Sequence, residues 1–393
     1  MGVIQSVAKD LSILCRVDRK SPHAKTACGA PTSTKGLGKL EVMMSGEDDM
    51  NGVWMNRVWL AALLVTASLA FGTSKAAAQG DEQTRKDVEY AVHDGVSLKG
   101  DLYLPATGGM HSAMLFIHGG GFRGGSKAGY GNTWGPYLAA RGIVVFAIDY
   151  RLSTATQTTW PQALLDCKAA LQYLRGDAGE LGIDADRIGV GGDSAGASLV
   201  ALIAITQDAP AFANRYPSDR YASASTRVKL AMPIYGVYDM QAWEKYTSQQ
   251  NNGNGARPLE QFFGGAPDKV PGAFFEASPI GYMREAATSL GAVATSNPGT
   301  KIPWFLAWGM VDGVVPPAGQ SMPFVQALKD AGVNVTAIPV PNVDHFWFTS
   351  SAITGKKGEL HCQEQAAGKF NCEGATPNDF IAEQLLEFLK KNL

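Results

Sequence analysis

The sequence predicts an α/β fold: an eight-stranded, mostly parallel sheet with helices on both faces and a lid-like insertion. Three observations predict it. Apolar runs of strand length alternate with stretches of helical periodicity. Most of those runs are continuously apolar, which is how strands read when helices cover both faces of a sheet. An Asp94-Gly95 turn between two alternating segments places a hairpin ahead of that alternation.

The elements follow in order. Segments 88–92 and 97–103 alternate in polarity and form the hairpin. Segments 112–117 and 142–148 are nearly all apolar, the second rich in β-branched residues. Segments 187–190, 230–235, 302–308 and 334–340 complete eight strands. Helical stretches are expected at 134–141, 161–175, 195–205, 321–331 and 377–392. Pro161 suits a first helical turn, and Leu164, Leu165, Ala169, Leu171 and Leu174 form one apolar stripe behind it. Two segments break the alternation. Residues 207–229 are polar and irregular. Residues 240–300, between the sixth and seventh strands, form a long insertion whose tip runs Asn251-Asn252-Gly253-Asn254-Gly255. An insertion of that length in one domain is expected to serve as a lid or a substrate wall.

Composition excludes some function classes. Of 393 residues, 45% are hydrophobic and 18% charged, and the formal net charge is -2. That balance is ordinary for a globular protein. With no basic stripe, nothing in it asks for nucleic acid or an anionic membrane surface.

The N-terminal region reads as a targeting segment. After Arg57, an apolar stretch over 58–71 leads to the small-residue pattern Ala76-Ala77-Ala78. This matches a secretory signal peptide over 55–78, cleaved near Ala78. The stretch is short for a membrane span, so no stable membrane insertion is expected after cleavage. Residues 1–54 are polar and irregular and are expected to be disordered, with Met55 as the true start. The catalytic domain is then 79–393, and the mature protein periplasmic or secreted. Export permits disulfides, and Cys362 and Cys372, in a polar loop, could close a small one. Cys167 lies in a helical pattern and is expected to be buried.

Chemistry concentrates at four places. Gly192-Asp193-Ser194-Ala195-Gly196 is a G-x-S-x-G. Alone it is a weak signal. Here it follows the strand RIGVG and opens the helix ASLVALIAI, which is the setting of a nucleophile elbow. Gly192, Gly196 and Ala195 leave room for the tight turn that lifts the Ser194 hydroxyl. The helix N-terminus also places positive dipole beneath a developing oxyanion. His118-Gly119-Gly120-Gly121 follows the third strand, where consecutive glycines can turn N–H groups into a cavity. Gly120 and Gly121 are the favoured oxyanion donors with the N–H of Ala195, and Gly119 stays a third candidate.

The base is found by elimination among six histidines. His345 follows the eighth strand, where the order nucleophile, acid, base requires it. His361, beside Cys362, is second; His93 is placed in the hairpin turn. Asp312 follows the seventh strand in a glycine-flanked turn and is the expected acid, with Asp239 as runner-up. Asp344 is expected to be solvated. In this arrangement His345 takes the Ser194 proton as Ser194 attacks an acyl carbonyl, Asp312 orients the imidazole, and no metal or organic cofactor is needed.

With these residues in place, a resemblance can be named. HGGGF, DYRLS (Asp149, Tyr150, Arg151, Leu152, Ser153), GDSAGAS, Asp312 and DHF resemble the hormone-sensitive-lipase-like branch of the α/β hydrolases. Within it the chain is similar to bacterial carboxylesterases of the feruloyl or acetyl-xylan esterase type, over about residues 85–392. The resemblance implies the α/β-hydrolase sheet and hydrolysis of carboxylic esters with short acyl chains, on small-molecule or carbohydrate ester substrates. Arg151 and Asp193 belong to the family pattern and are read as structural supports. Ala197 stands where many members carry glycine. A peptidase or amidase of the same fold is the alternative, and a non-catalytic binding protein of this fold is a third reading. The polar insertion speaks against a lipase.

Overall fold

The computed structural model describes residues 83–393 apart from 214, 251–254, 256, 289–296 and 367–368. The expectations for 1–54, the signal peptide over 55–78 and most of the asparagine-rich tip lie outside the described residues. The described residues fall within a single unit.

Eight strands make the sheet: β1 (Gln83–His93), β2 (Val96–Leu104), β3 (His111–Ile117), β4 (Ile143–Ile148), β5 (Ile183–Asp193), β6 (Ala231–Ile234), β7 (Trp304–Gly309) and β8 (Val335–Val340). Their spatial order is β1-β2-β4-β3-β5-β6-β7-β8. β1 pairs β2 antiparallel, and β2 pairs β4 antiparallel. Every pairing from β4 through β8 is parallel. This is the α/β-hydrolase sheet that the resemblance implied.

The continuously apolar strands are the central ones. β4 and all of β3 after His111 are buried. Each large aliphatic or aromatic side chain so buried contributes about 1.5–3 kcal/mol. β8, at the sheet edge, is only half-buried along most of its length.

Helices cover both faces: α1 (Trp134–Ala139), α2 (Gln162–Gly176), α3 (Ala195–Thr206), α4 (Met240–Ser248), α5 (Pro258–Phe263), α6 (Pro271–Glu276), α7 (Pro279–Thr288), α8 (Ser321–Asp330) and α9 (Pro377–Asn392). Every residue of α3 is buried, which explains why its sequence is apolar all round rather than striped. α9 starts at a capping box: the Thr376 side chain accepts from the Asp379 N–H, and the Asp379 carboxylate accepts from the Thr376 N–H.

Three expectations change. The 240–300 insertion, expected to be polar, is largely helical, through α4 to α7, and buries the aromatic and aliphatic residues Trp243, Leu259, Phe262 and Phe274. The polar stretch around Cys362 is a second, two-stranded sheet, β9 (Cys362–Ala366) against β10 (Lys369–Cys372), and a disulfide joins Cys362 to Cys372. Cys167 is buried, as expected.

The third change concerns His93. It is not a turn residue but the buried end of β1. Its Nδ1 lies 2.7 Å from Asp166 and its Nε2 2.9 Å from Asp219. Burial works against the charged ring, but the two carboxylates outweigh it and raise its pKa. Arg151 grips the same Asp166 through Nε at 2.8 Å and Nη2 at 2.7 Å. The network ties β1, α2 and the irregular 207–229 segment together, and it makes Arg151 a structural support.

Candidate active site

The four signals from the sequence converge at one edge of the sheet. The glycine loop follows β3, the Ser194 elbow follows β5, Asp312 follows β7 and His345 follows β8. These strands are parallel, so their C-terminal ends point the same way, which is where open α/β sheets place their sites.

Ser194 turns at φ 52° and ψ -121° between β5 and α3. This left-handed conformation is strained for a side chain. It is held because the Ser194 N–H donates to the Ile234 carbonyl at 2.9 Å. Gly196 lets the elbow pack against β3: an added Cβ there would collide with the Ile117 and His118 carbonyl oxygens.

The Ser194 Oγ lies 2.9 Å from His345 Nε2. The opposite ring nitrogen, Nδ1, lies 2.7 Å from Asp312 Oδ2. Asp312 Oδ1 accepts from the backbone N–H groups of Val314 at 2.9 Å and Val315 at 2.8 Å. All three residues are buried. The structure therefore brings Ser194, Asp312 and His345 into one relay. The runners-up stand elsewhere. Asp239 caps α4 and accepts from the Ala242 N–H at 3.0 Å. His361 pairs with Glu359 at 3.3 Å on the surface.

Asp344 corrects an expectation. It is half-buried rather than solvated. One carboxylate oxygen accepts from the Gly313 N–H and from the His345 N–H, each at 2.8 Å. It clasps the loop carrying Asp312 to the loop carrying His345. Adjacency in sequence gave no sign of this, because the contact to Gly313 depends on how β7 and β8 pair.

The glycine loop sorts its own donors. The Gly119 N–H donates to Asp193 Oδ1 at 3.1 Å, so it is committed to holding the loop against the elbow. Tyr130 donates to the same oxygen at 2.7 Å. Burial pushes the Asp193 carboxyl up, while Tyr130, His118 and Gly119 oppose the shift. Gly120 adopts φ 115°, and a Cβ there would strike the Gly124 carbonyl. Ser153, from the DYRLS motif, pins the far side of the loop by donating its hydroxyl to the Phe122 carbonyl at 2.9 Å. His118 is buried, accounting for its lowered pKa, and its Nδ1 lies 2.6 Å from the Gly119 carbonyl. Gly120 and Gly121 line the cleft beside Ser194 and His345. Tyr130 and Ser153 are supports that sequence reasoning missed; only the motif around Ser153 carried any signal.

The cleft measures about 420 Å³, within the range of small-ligand sites. The insertion supplies one wall through Trp243, Tyr246, Thr247, Gln250 and Pro258. That wall is fastened to the loop bearing Asp312. Tyr246 donates to the Gly313 carbonyl at 2.6 Å, and Trp243 Nε1 to the Val314 carbonyl at 3.0 Å.

The matching family model spans residues 100–328 and is described as BD-FAE. The chain belongs to the BD-FAE family. The matched span holds Gly120, Gly121, Ser194 and Asp312; His345 lies beyond it. Over 286 residues the chain is 29% identical to ethyl acetate hydrolase of Pseudomonas putida, covering 70% of this chain and 78% of that one. Over 218 residues it is 32% identical to esterase LipQ of Mycobacterium tuberculosis, covering 55% of this chain. The chain spans about half the length of such mycobacterial relatives, 45% of LipQ and 55% of LipC. Among solved structures, esterase Est2 of Thermogutta terrifontis superposes with a TM-score of 0.51 at 25% identity, covering 69% of this chain and 85% of that one. A truncated carbohydrate esterase from gut microbiota shares the fold, with a TM-score of 0.54 at 24% identity over 68% of this chain and 91% of that one.

One buried acid of this BD-FAE chain lies on a helix that supplies the wall, outside the relay. Glu244, on α4, is 3% exposed, and among the described residues neither carboxylate oxygen has a hydrogen-bond partner. Burial, with Glu260 adding to it and Arg257 opposing, pushes its pKa up to about 7. The unfolded chain ionises Glu244 at lower pH than the folded one does. Folding stability is therefore lost as pH rises from about 4.5 to about 7, and is level above. Glu244→Gln is expected to gain about 1–2 kcal/mol at pH 8 and almost nothing at pH 4.5. Thermal melts at the two pH values check this; equal shifts would contradict it.

Proposed function

We propose that this chain is an exported serine carboxylesterase acting on small esters with short acyl chains. Ser194 is the nucleophile, His345 the general base and Asp312 the acid that orients it. Gly120, Gly121 and Ala195 are the oxyanion donors. The observation that carries this reading is the Asp312–His345–Ser194 relay, assembled in a cleft bordered by the glycine loop.

The chemistry follows from the geometry. With Nδ1–H directed at Asp312, His345 Nε2 presents a lone pair to the Ser194 hydroxyl. Ser194 Oγ forms a bond to the ester carbonyl carbon as its proton passes to Nε2. The carbonyl oxygen becomes an oxyanion, and each backbone N–H aimed at it is worth a factor of roughly 10²–10³ in rate. The intermediate collapses by breaking the bond to the alcohol oxygen, which takes the proton from the imidazolium. Water then enters, gives a proton to His345 and attacks the acyl-enzyme. The acid departs and Ser194 regains its proton.

Three supports bear on substrate and place. The ethyl acetate hydrolase relative is named for a two-carbon acyl ester. Resemblance to feruloyl and acetyl-xylan esterases extends the reading to esterified sugars. The 55–78 segment supports export to the periplasm or medium, and N-terminal sequencing of the exported protein is expected to begin near Gln79. Retention of Met55 would contradict cleavage.

The test is hydrolysis of a p-nitrophenyl ester series, acetate to palmitate, by the full chain. Acetate to butyrate are expected to turn over fastest. A folded protein inert on every ester but active on p-nitroanilides would favour the amidase reading. Inertness on both would favour a binding protein.

A further inference from the structure

The cleft carries a cation that the reaction does not use. Arg123 lines it, two residues beyond Gly121. Its backbone is fixed by a tight turn, with the Arg123 N–H donating to the Gly120 carbonyl at 3.2 Å and the Gly124 N–H donating to the same oxygen at 3.0 Å. Its side chain folds back along the glycine loop: Nε stands 4.0 Å from the point a Cβ on Gly121 would occupy. Among the described residues, none accepts a hydrogen bond from the guanidinium and none pairs with it. Glu260, on α5, is engaged with Arg257 at 3.0 Å. No aspartate or glutamate is among the described residues lining the cleft, and no second lysine or arginine is either.

A lone guanidinium in a concave site with no carboxylate beside it raises the local concentration of anions. Its planar fork also matches a carboxylate in two-pronged geometry. The position matters as much as the charge. Arg123 stands beside the Gly120 and Gly121 donors, so a group that reaches it belongs to a substrate whose carbonyl oxygen is already in the oxyanion site.

We propose that Arg123 is a specificity-determining residue that selects esters carrying a carboxylate near the scissile bond. This rests on the esterase reading above. It adds a substrate class to it: half-esters of dicarboxylic acids, or acyl esters of hydroxy acids and acidic sugars. The shared chemistry is a carboxylate held by Arg123. The two sources differ in which side of the scissile bond bears it.

Paired esters test the proposal on the full chain. Mono-4-nitrophenyl glutarate against 4-nitrophenyl butyrate places the charge on the acyl side. 4-Acetoxybenzoate against its methyl ester places it on the leaving-group side. In one arm, Arg123→Gln is expected to lower the ratio of kcat/KM for the anionic ester over the neutral one about tenfold, the scale of a charged hydrogen bond in a half-open cleft. The change should lie mainly in KM, as for an interaction made equally in ground and transition states. Arg123→Lys is expected to restore part of the ratio, Arg123→Glu to invert it, and added salt to shrink it. The arm that responds identifies the side bearing the carboxylate. Equal losses on both members of each pair would make Arg123 a loop support and overturn the proposal, as would an unchanged ratio in both arms. A folded wild type inert on all four esters would instead overturn the esterase reading, and this inference with it.

Discussion

Ser194→Ala is expected to lower ester turnover by roughly four to six orders of magnitude, with the fold intact. Both halves follow from the elbow. Alanine keeps the Cβ and loses only the hydroxyl, so the strained turn at φ 52° and the N–H bond to Ile234 persist. The hydroxyl's hydrogen bond in the relay is the one to His345, and its loss removes the nucleophile outright. The residual rate should still exceed that of water, because the glycine loop and the Ala195 N–H can polarise a bound carbonyl. Steady-state kinetics with a melt of the same sample check this. A fall of less than about a hundredfold, with the melt unchanged, would remove Ser194 from the chemistry.

Asp312→Asn is expected to reduce kcat about 10⁴-fold with little change in KM. The cause is a tautomer, and the neighbouring hydrogen bonds dictate it. Asp312 Oδ1 accepts from the N–H groups of Val314 and Val315. In the asparagine variant the amide oxygen must stay on that side, since an NH2 group there would face two donors. The NH2 then faces His345 Nδ1 and must donate to it. This moves the ring proton to Nε2, and the imidazole can no longer accept the Ser194 proton. Asp239→Asn provides the contrast. Asparagine caps a helix as well as aspartate does, so kcat should stay within about twofold of wild type. A large loss at Asp239 with a small one at Asp312 would exchange the two roles.

The relay was legible in the sequence because each member follows a strand within a few residues, and chain order together with the glycine-flanked turn at Asp312 ranks the candidates. The central strands were legible for a related reason: β3 and β4 are buried on both faces, so their residues are apolar without interruption. What escaped depends on contacts between distant segments. Asp344 reads as a surface acid until β7 and β8 pair and bring Gly313 to it. His93 reads as a turn residue because its partners, Asp166 and Asp219, lie 73 and 126 residues away. The 240–300 insertion reads as polar because the apolar residues it buries, Trp243, Leu259, Phe262 and Phe274, are spread over three short helices. Gly119 could be set apart from Gly120 and Gly121 only by the Asp193 carboxylate that takes its N–H.

These cases share a physical pattern. Local signals report backbone needs: a glycine where a Cβ would collide, an apolar run where two faces are covered. Polar groups report little locally, since a buried carboxylate is satisfied by whichever donors the fold delivers. The second tier of the site, formed by Asp193, Tyr130, Ser153 and Asp344, consists of such groups. It holds the glycine loop, the elbow and the loop carrying the base at fixed separations, which a site relying on preorganised donors requires.

The most direct measurement is covalent. The full chain would be treated with the organophosphate paraoxon, and its intact mass and peptide map recorded beside residual ester turnover. The expected result is a single diethylphosphoryl adduct on Ser194, with turnover falling in proportion to labelling. Asp312→Asn should slow that labelling along with turnover, because both need a base that can take the serine proton. Full ester hydrolysis by a protein that stays unlabelled, or that is labelled at another residue, would contradict the assignment of Ser194 as the activated nucleophile.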